Sequence, residues 1–248
     1  MNRLFVLLLL YGLSTGAFAK DSALKKQEQL IAQLLNQQVE QQISLRNSVS
    51  SILTRFPEQV DVVLNIALDT YPSQYKAIML GAMRAEPVLA CEVIEILLEA
   101  NIASPSELIS IAVQAEPAYA QEIVNVAALH NPADIENIVR VAISTEPVVS
   151  HAVVSNTMTS FPDKVIAILL GAIKAMPEQV NLFVKDAITL FPANSEDVVS
   201  NAVSSSHENQ ASKIVKTAVK AGLDQKTAID AAIAGGANAE KLAKLKVL

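Results

Sequence analysis

Nine of the ten prolines in this 248-residue chain fall on one 15-residue grid. Pro57, Pro72 and Pro87 are 15 apart, as are Pro117, Pro132, Pro147, Pro162, Pro177 and Pro192. The steps to and from Pro105 are 18 and 12, which together restore the register. A fixed period of this kind is the signature of a repeat array, in which each unit buries its apolar face against its neighbours. Counted from its proline, each unit repeats one pattern. Paired apolar residues stand at positions six and seven (Val63-Leu64, Ile78-Met79, Ile123-Val124, Ile168-Leu169), Ala stands at ten in most units, and further apolars stand at three and eleven. Positions 3, 6, 7, 10 and 11 form one stripe of a 3.6-residue helix and fit no strand. Proline suits helix entry, where its missing N–H is not needed and its φ is already set.

A unit of 15 leaves about 12 residues of helix, roughly 18 Å, and about three for a turn. The spacing therefore predicts an all-α fold, an α-solenoid-like array of short antiparallel helices in 30-residue hairpins. Tyr71 to Pro87 and Phe161 to Pro177 share eight of seventeen residues, which points to duplication. Gly81 and Gly171 occupy equivalent helical positions, and close helix packing is their expected role.

The ends depart from the pattern. Met1-Asn2-Arg3, the apolar run Leu4 to Ala17 and Ala17-Phe18-Ala19 have the three parts of a secretory signal peptide. Residues 1–19 are read as that signal, with export to the periplasm or the outside of a bacterial cell and no transmembrane segment in the mature chain. Residues 20–55 are read as one long amphipathic Gln-rich helix, with Ile31, Leu35, Val39 and Ile43 four apart. It is expected to cap the array rather than form a coiled coil, because the heptad is not sustained. Residues 56–206 form the proline-initiated repeats, and 207–248 form atypical capping helices with a Lys-rich tail.

The sequence offers no nucleophile elbow, phosphate loop or metal-ligand spacing, so no catalytic, cofactor-binding or metal residue is assigned and enzymatic activity is not expected. A single Cys excludes a disulfide framework, and Cys91 is expected to be buried as a small apolar side chain. A pI near 5.1 argues against a nucleic-acid partner. Charge is unevenly spread, with 11 basic and 21 acidic residues over 20–206 but 7 Lys and 4 acids over 207–248. Four aromatics directly precede a proline, Phe56, Tyr71, Phe161 and Phe191, and read as staples over the next helix start. Ser104 with Glu107 matches a capping box, and Asn131 is an expected N-cap.

The unit Pro-x-x-Ala/Val-x-x-Ile/Val-Ile/Val-x-x-Ala, over residues 56–221, resembles α-helical repeat proteins, and more narrowly secreted bacterial proteins built of short proline-initiated helices. It differs from the tetratricopeptide pattern, lacking that family's Trp, Gly and Tyr positions. The resemblance implies an α-solenoid and carries over no functional residues. Helical arrays mostly present surfaces to partners, so the expected function is a protein-binding or scaffolding module of the cell envelope. The alternative is a carrier of an apolar ligand such as a lipid in a concave groove. Alternation of helix direction would place Glu86, Glu116 and Glu146 on one edge, a candidate partner-binding row. Mass spectrometry of the exported protein is expected to read Lys20 as the first residue, and retention of residues 1–19 would contradict the cleavage.

Overall fold

The structure is a computed structural model that describes residues 25–243. The signal segment expected over residues 1–19 lies outside the described residues. Within them every regular element is helical: α1 (25–40), α2 (Leu45–Arg55), α3 (Val60–Thr70), α4 (Tyr75–Ala85), α5 (Ala90–Glu99), α6 (Pro105–Ala115), α7 (Ala120–His130), α8 (Ile135–Thr145), α9 (Ser150–Ser160), α10 (Val165–Ala175), α11 (Val180–Leu190), α12 (Ser195–Ser204), α13 (Ala211–Lys220), α14 (Gln225–Ala234) and α15 (Ala239–Ala243). They form two compact units, one ending at Ile96 and one beginning at Leu97.

The joint between units is built the same way nine times. The residue before each proline leaves the helical region because the proline ring crowds it; Phe161, for example, has φ −128° and ψ 69°. Its N–H still bonds the carbonyl four residues back (Phe161 to Thr157, 2.9 Å), and its own carbonyl accepts the N–H three residues on, from Lys164. Proline then opens a three-residue 3₁₀ turn that runs directly into the next α-helix. Backbone groups orphaned at a helix end thus find partners in the joint itself. No side chain caps any of these nine turns. Asn131 is consequently not the side-chain cap its residue type suggests: its backbone alone serves the joint.

An 11-residue helix is about 16 Å long, and a four-residue joint cannot carry the chain back to its start. Successive helices therefore reverse direction. In the second unit each helix packs on the next but one, α6 on α8, α8 on α10, α10 on α12, α12 on α14, and likewise α7 on α9, α9 on α11 and α11 on α13. The result is two layers, one of even and one of odd helices, with parallel neighbours within each layer. In the first unit the corresponding dominant contact is α2 on α4.

The stripe read from the sequence is the core. Every pair at positions six and seven is buried from Val63-Leu64 to Val198-Val199, and Ala67, Ala82, Ala142, Ala172, Ala187 and Ala202 at position ten are fully buried. Ser150 and Ser195 fill position three, and Thr157 fills position ten, so the buried polar side chains of these units stand where others carry apolar ones. Cys91 is half-buried rather than buried, because position four lies beside the stripe and not on it.

Gly81 and Gly171 mark the closest approaches. A Cβ on Gly171 would lie 2.3 Å from the Glu136 carbonyl oxygen of α8, and one on Gly81 2.5 Å from that of Arg46 on α2. Gly235 stands in the same relation to Ser200, at 2.3 Å.

The long helix expected over residues 20–55 is two helices. Gln42 has φ +65°, and the bonds Ile43 N–H to Gln38 C=O and Gln42 N–H to Val39 C=O close α1 in a Schellman turn. Ser44 then caps α2 by accepting the Asn47 N–H. The same device recurs near the other end, with Gly222 and Gly236 at positive φ, and Asp224 accepting from Thr227 and Asn238 from Lys241. Position 42 is one grid step before Pro57. Leu45, Ser48, Val49, Ile52 and Leu53 are accordingly buried at positions 3, 6, 7, 10 and 11, so α2 is a repeat helix that lacks its proline. The step to Pro105 hides another. Leu108, Ile109, Ala112 and Val113 hold the grid as if counted from position 102, and Ser104 caps α6 through the Glu107 N–H, as expected.

Gly171→Ala is expected to lower stability by about 3 kcal/mol, since two backbones must separate. Gly236→Ala, with open space around its φ of +95°, should cost only about 1 kcal/mol. Urea unfolding of the two variants checks this ordering. Thr157→Val is expected to raise stability by about 1 kcal/mol, because a methyl group of the same shape replaces a buried hydroxyl that has no hydrogen-bond partner; a lowered unfolding midpoint would contradict it.

Candidate functional site

Two of the three glutamates of the candidate edge fall within one unit. Glu116 and Glu146 end α6 and α8, parallel neighbours of the second unit, and so share an edge with Met176 at the end of α10. Glu86 ends α4 in the first unit. Glu86 is exposed, whereas Glu116 and Glu146 are half-buried. Each contributes its backbone N–H to the end of its own helix, through Ala82, Ala112 and Ala142, and its side chain caps nothing. Among the described residues no group of three or more His, Cys, Asp or Glu is arranged to hold a metal ion. The four pre-proline aromatics are half-buried or exposed, and Tyr71 donates its hydroxyl proton to Asn36 at 3.2 Å.

Chemistry concentrates on the helix sides, where same-layer neighbours are stitched by polar bonds. In the even layer Asn137 donates to Ser106 (2.9 Å), Thr145 to Ser110 (3.1 Å) and Lys174 to Glu136. In the odd layer Asn125 donates to Asn156 (2.7 Å) and Ser160 (3.2 Å), His151 Nδ1 lies 2.8 Å from Asp186, and Thr217 donates to Asn181 (3.3 Å). These partners stand 31 to 36 residues apart in the odd layer, one hairpin plus a short offset, as parallel neighbours require.

From α3 to α13 the odd helices also sort their charge along the chain. In the first unit α3 carries Asp61 and Asp69, α5 carries Glu92, Glu95 and Glu99 toward and past the unit boundary, and neither holds a Lys or Arg. That unit's arginines, Arg46, Arg55 and Arg84, belong to α2 and α4. In the second unit α7 has the acid Glu122, α9 has no acid, Lys or Arg, α11 pairs Lys185 with Asp186, and α13 carries Lys213, Lys216 and Lys220 with no acid.

Two grooves lie on these helices. One, of about 420 Å³, runs between α1 and α3 and is lined by Glu28, Asp61 and Asp69 on its rim and by Ala32, Val62 and Ile66. The other, of about 430 Å³, runs between α11 and α13, with Lys185 and Lys220 beside Asn181, Thr217 and the part-exposed Leu182. Partial burial, followed by repulsion from Asp61 and Glu95, holds the Glu92 carboxyl above its usual range. Acidic charge is thus crowded on α3 and α5, which hold no Lys or Arg, while Lys25 and Lys26 stand near Glu28 on α1.

Sequence reading missed this sorting because it summed charge over blocks of consecutive residues. Tabulating it over alternate repeats would have found it. No helix among the described residues is long and apolar enough to cross a membrane. No family model, no curated protein and no solved structure matches this chain.

Proposed function

We propose that the chain is an exported protein-binding or scaffolding module of the cell envelope, and that its odd-helix sides are the surfaces that meet partners. The observation that carries this reading is the single stripe: positions 3, 6, 7, 10 and 11 are spent on the core, while the grooves outside it have charged or amide rims. Interfaces between proteins combine an apolar floor with such a polar rim. A lipid carrier needs a second apolar face, and the groove linings do not supply one. Export rests on the signal-like residues 1–19.

Immobilised chain, washed with envelope extract, is expected to retain protein that elutes with salt, as measured by mass spectrometry of both proteins and lipids. The same chain with Asp61→Asn, Asp69→Asn, Lys216→Gln and Lys220→Gln is expected to lose it. Retention of lipid without protein would overturn the reading in favour of the carrier.

A further inference from the structure

The two grooves on α3 and α13 are bordered by charge of opposite sign. Asp61 and Asp69 are exposed eight residues apart on α3, with Asn65 between them, a row of about 12 Å along the helix. Lys213, Lys216 and Lys220 are exposed over seven residues on α13, a row of about 10 Å. Among the described residues no ion pair neutralises any of these five side chains. Each row borders a groove of nearly equal volume with apolar atoms in its floor, Val62 and Ile66 in one and Leu182 in the other. Charge and row length therefore match between two different surfaces of one sequence. A contact between unlike surfaces is heterologous and joins copies head to tail.

We propose that the lysine ridge of α13 in one copy docks on the acidic row of α3 in another, making the chain a self-associating unit. This does not rest on a foreign partner and would stand or fall separately from the scaffold reading. Charge complementarity of exposed rows acts through a screened field, so the association is strong at about 0.01 M salt, where the Debye length is about 30 Å, and is lost near 1 M, where it is about 3 Å.

The test is sedimentation velocity of the purified full chain at both salts, with two charge-reversed variants. Asp61→Lys/Asp69→Lys breaks the acidic face, and Lys216→Glu/Lys220→Glu breaks the basic one. The unaltered chain is expected to associate at low salt and to be monomeric at high salt, and each variant alone to be monomeric throughout. An equimolar mixture of the two variants retains one intact face of each kind and is expected to form a complex containing both. A monomeric unaltered chain at low salt overturns the proposal. So does association that persists at high salt, which the apolar run of residues 4–17 would produce, or a mixture of well-folded variants that stays monomeric. Far-UV circular dichroism of each variant establishes that it is folded.

Discussion

A helix of eleven residues is barely stable by itself in water, because the first turn costs entropy that so few later bonds do not recover. Everything else in this structure follows from how that shortfall is met. In the second unit α6 to α12 are each held on one side by the next helix in chain order and along the flank by the next but one, and α8 on α10 is the most intimate of these contacts. Alanine at position ten and glycine at 81, 171 and 235 let backbones approach until a carbonyl oxygen occupies the place of a side chain. Outside those contacts the flanks are pinned by hydrogen bonds between residues some 35 apart, so packing and polar pairing select the same register.

Much of this is legible in the residues because proline and the apolar stripe report independently on one period. The grid located the joints, and the stripe located the core to the residue, down to Phe183-Val184 and Val198-Val199. Where proline is missing the reading failed: apolars at Ile31, Leu35, Val39 and Ile43 suggested a helix continuing to Leu53. The chain stops at Gln42 instead, a left-handed residue that no periodicity of side chains announces. Cys91 and Asn131 failed for another reason. Residue type was weighed above position, but position four is off the stripe, and the proline joint uses backbone in place of a side-chain cap.

The candidate surfaces were harder to see, since each depends on reading every second helix rather than consecutive residues. Asp61 and Lys216 are ordinary solvent-facing residues one at a time. They become a pattern only when alternate helices are read in chain order, α3 and α5 acidic, α9 without acid, Lys or Arg, and α13 basic, whatever the placement of one unit on the other. The glutamates at 86, 116 and 146 drew notice because they precede prolines, and that position binds them through their backbone to helix ends.

The proline joints also bear on how the protein meets acid. A helix begun by a covalent ring and closed by backbone bonds has no carboxylate in its cap, so the nine proline entries depend on no titrating side chain for their capping. The start of α14 is different in kind. There Asp224 is held below its ordinary range chiefly by the Thr227 backbone N–H, so its hold on the helix is complete above the carboxylate's unfolded value and fades as pH falls through the folded one. Acid therefore loosens the start of α14, while the nine proline entries have no carboxylate cap for it to act on.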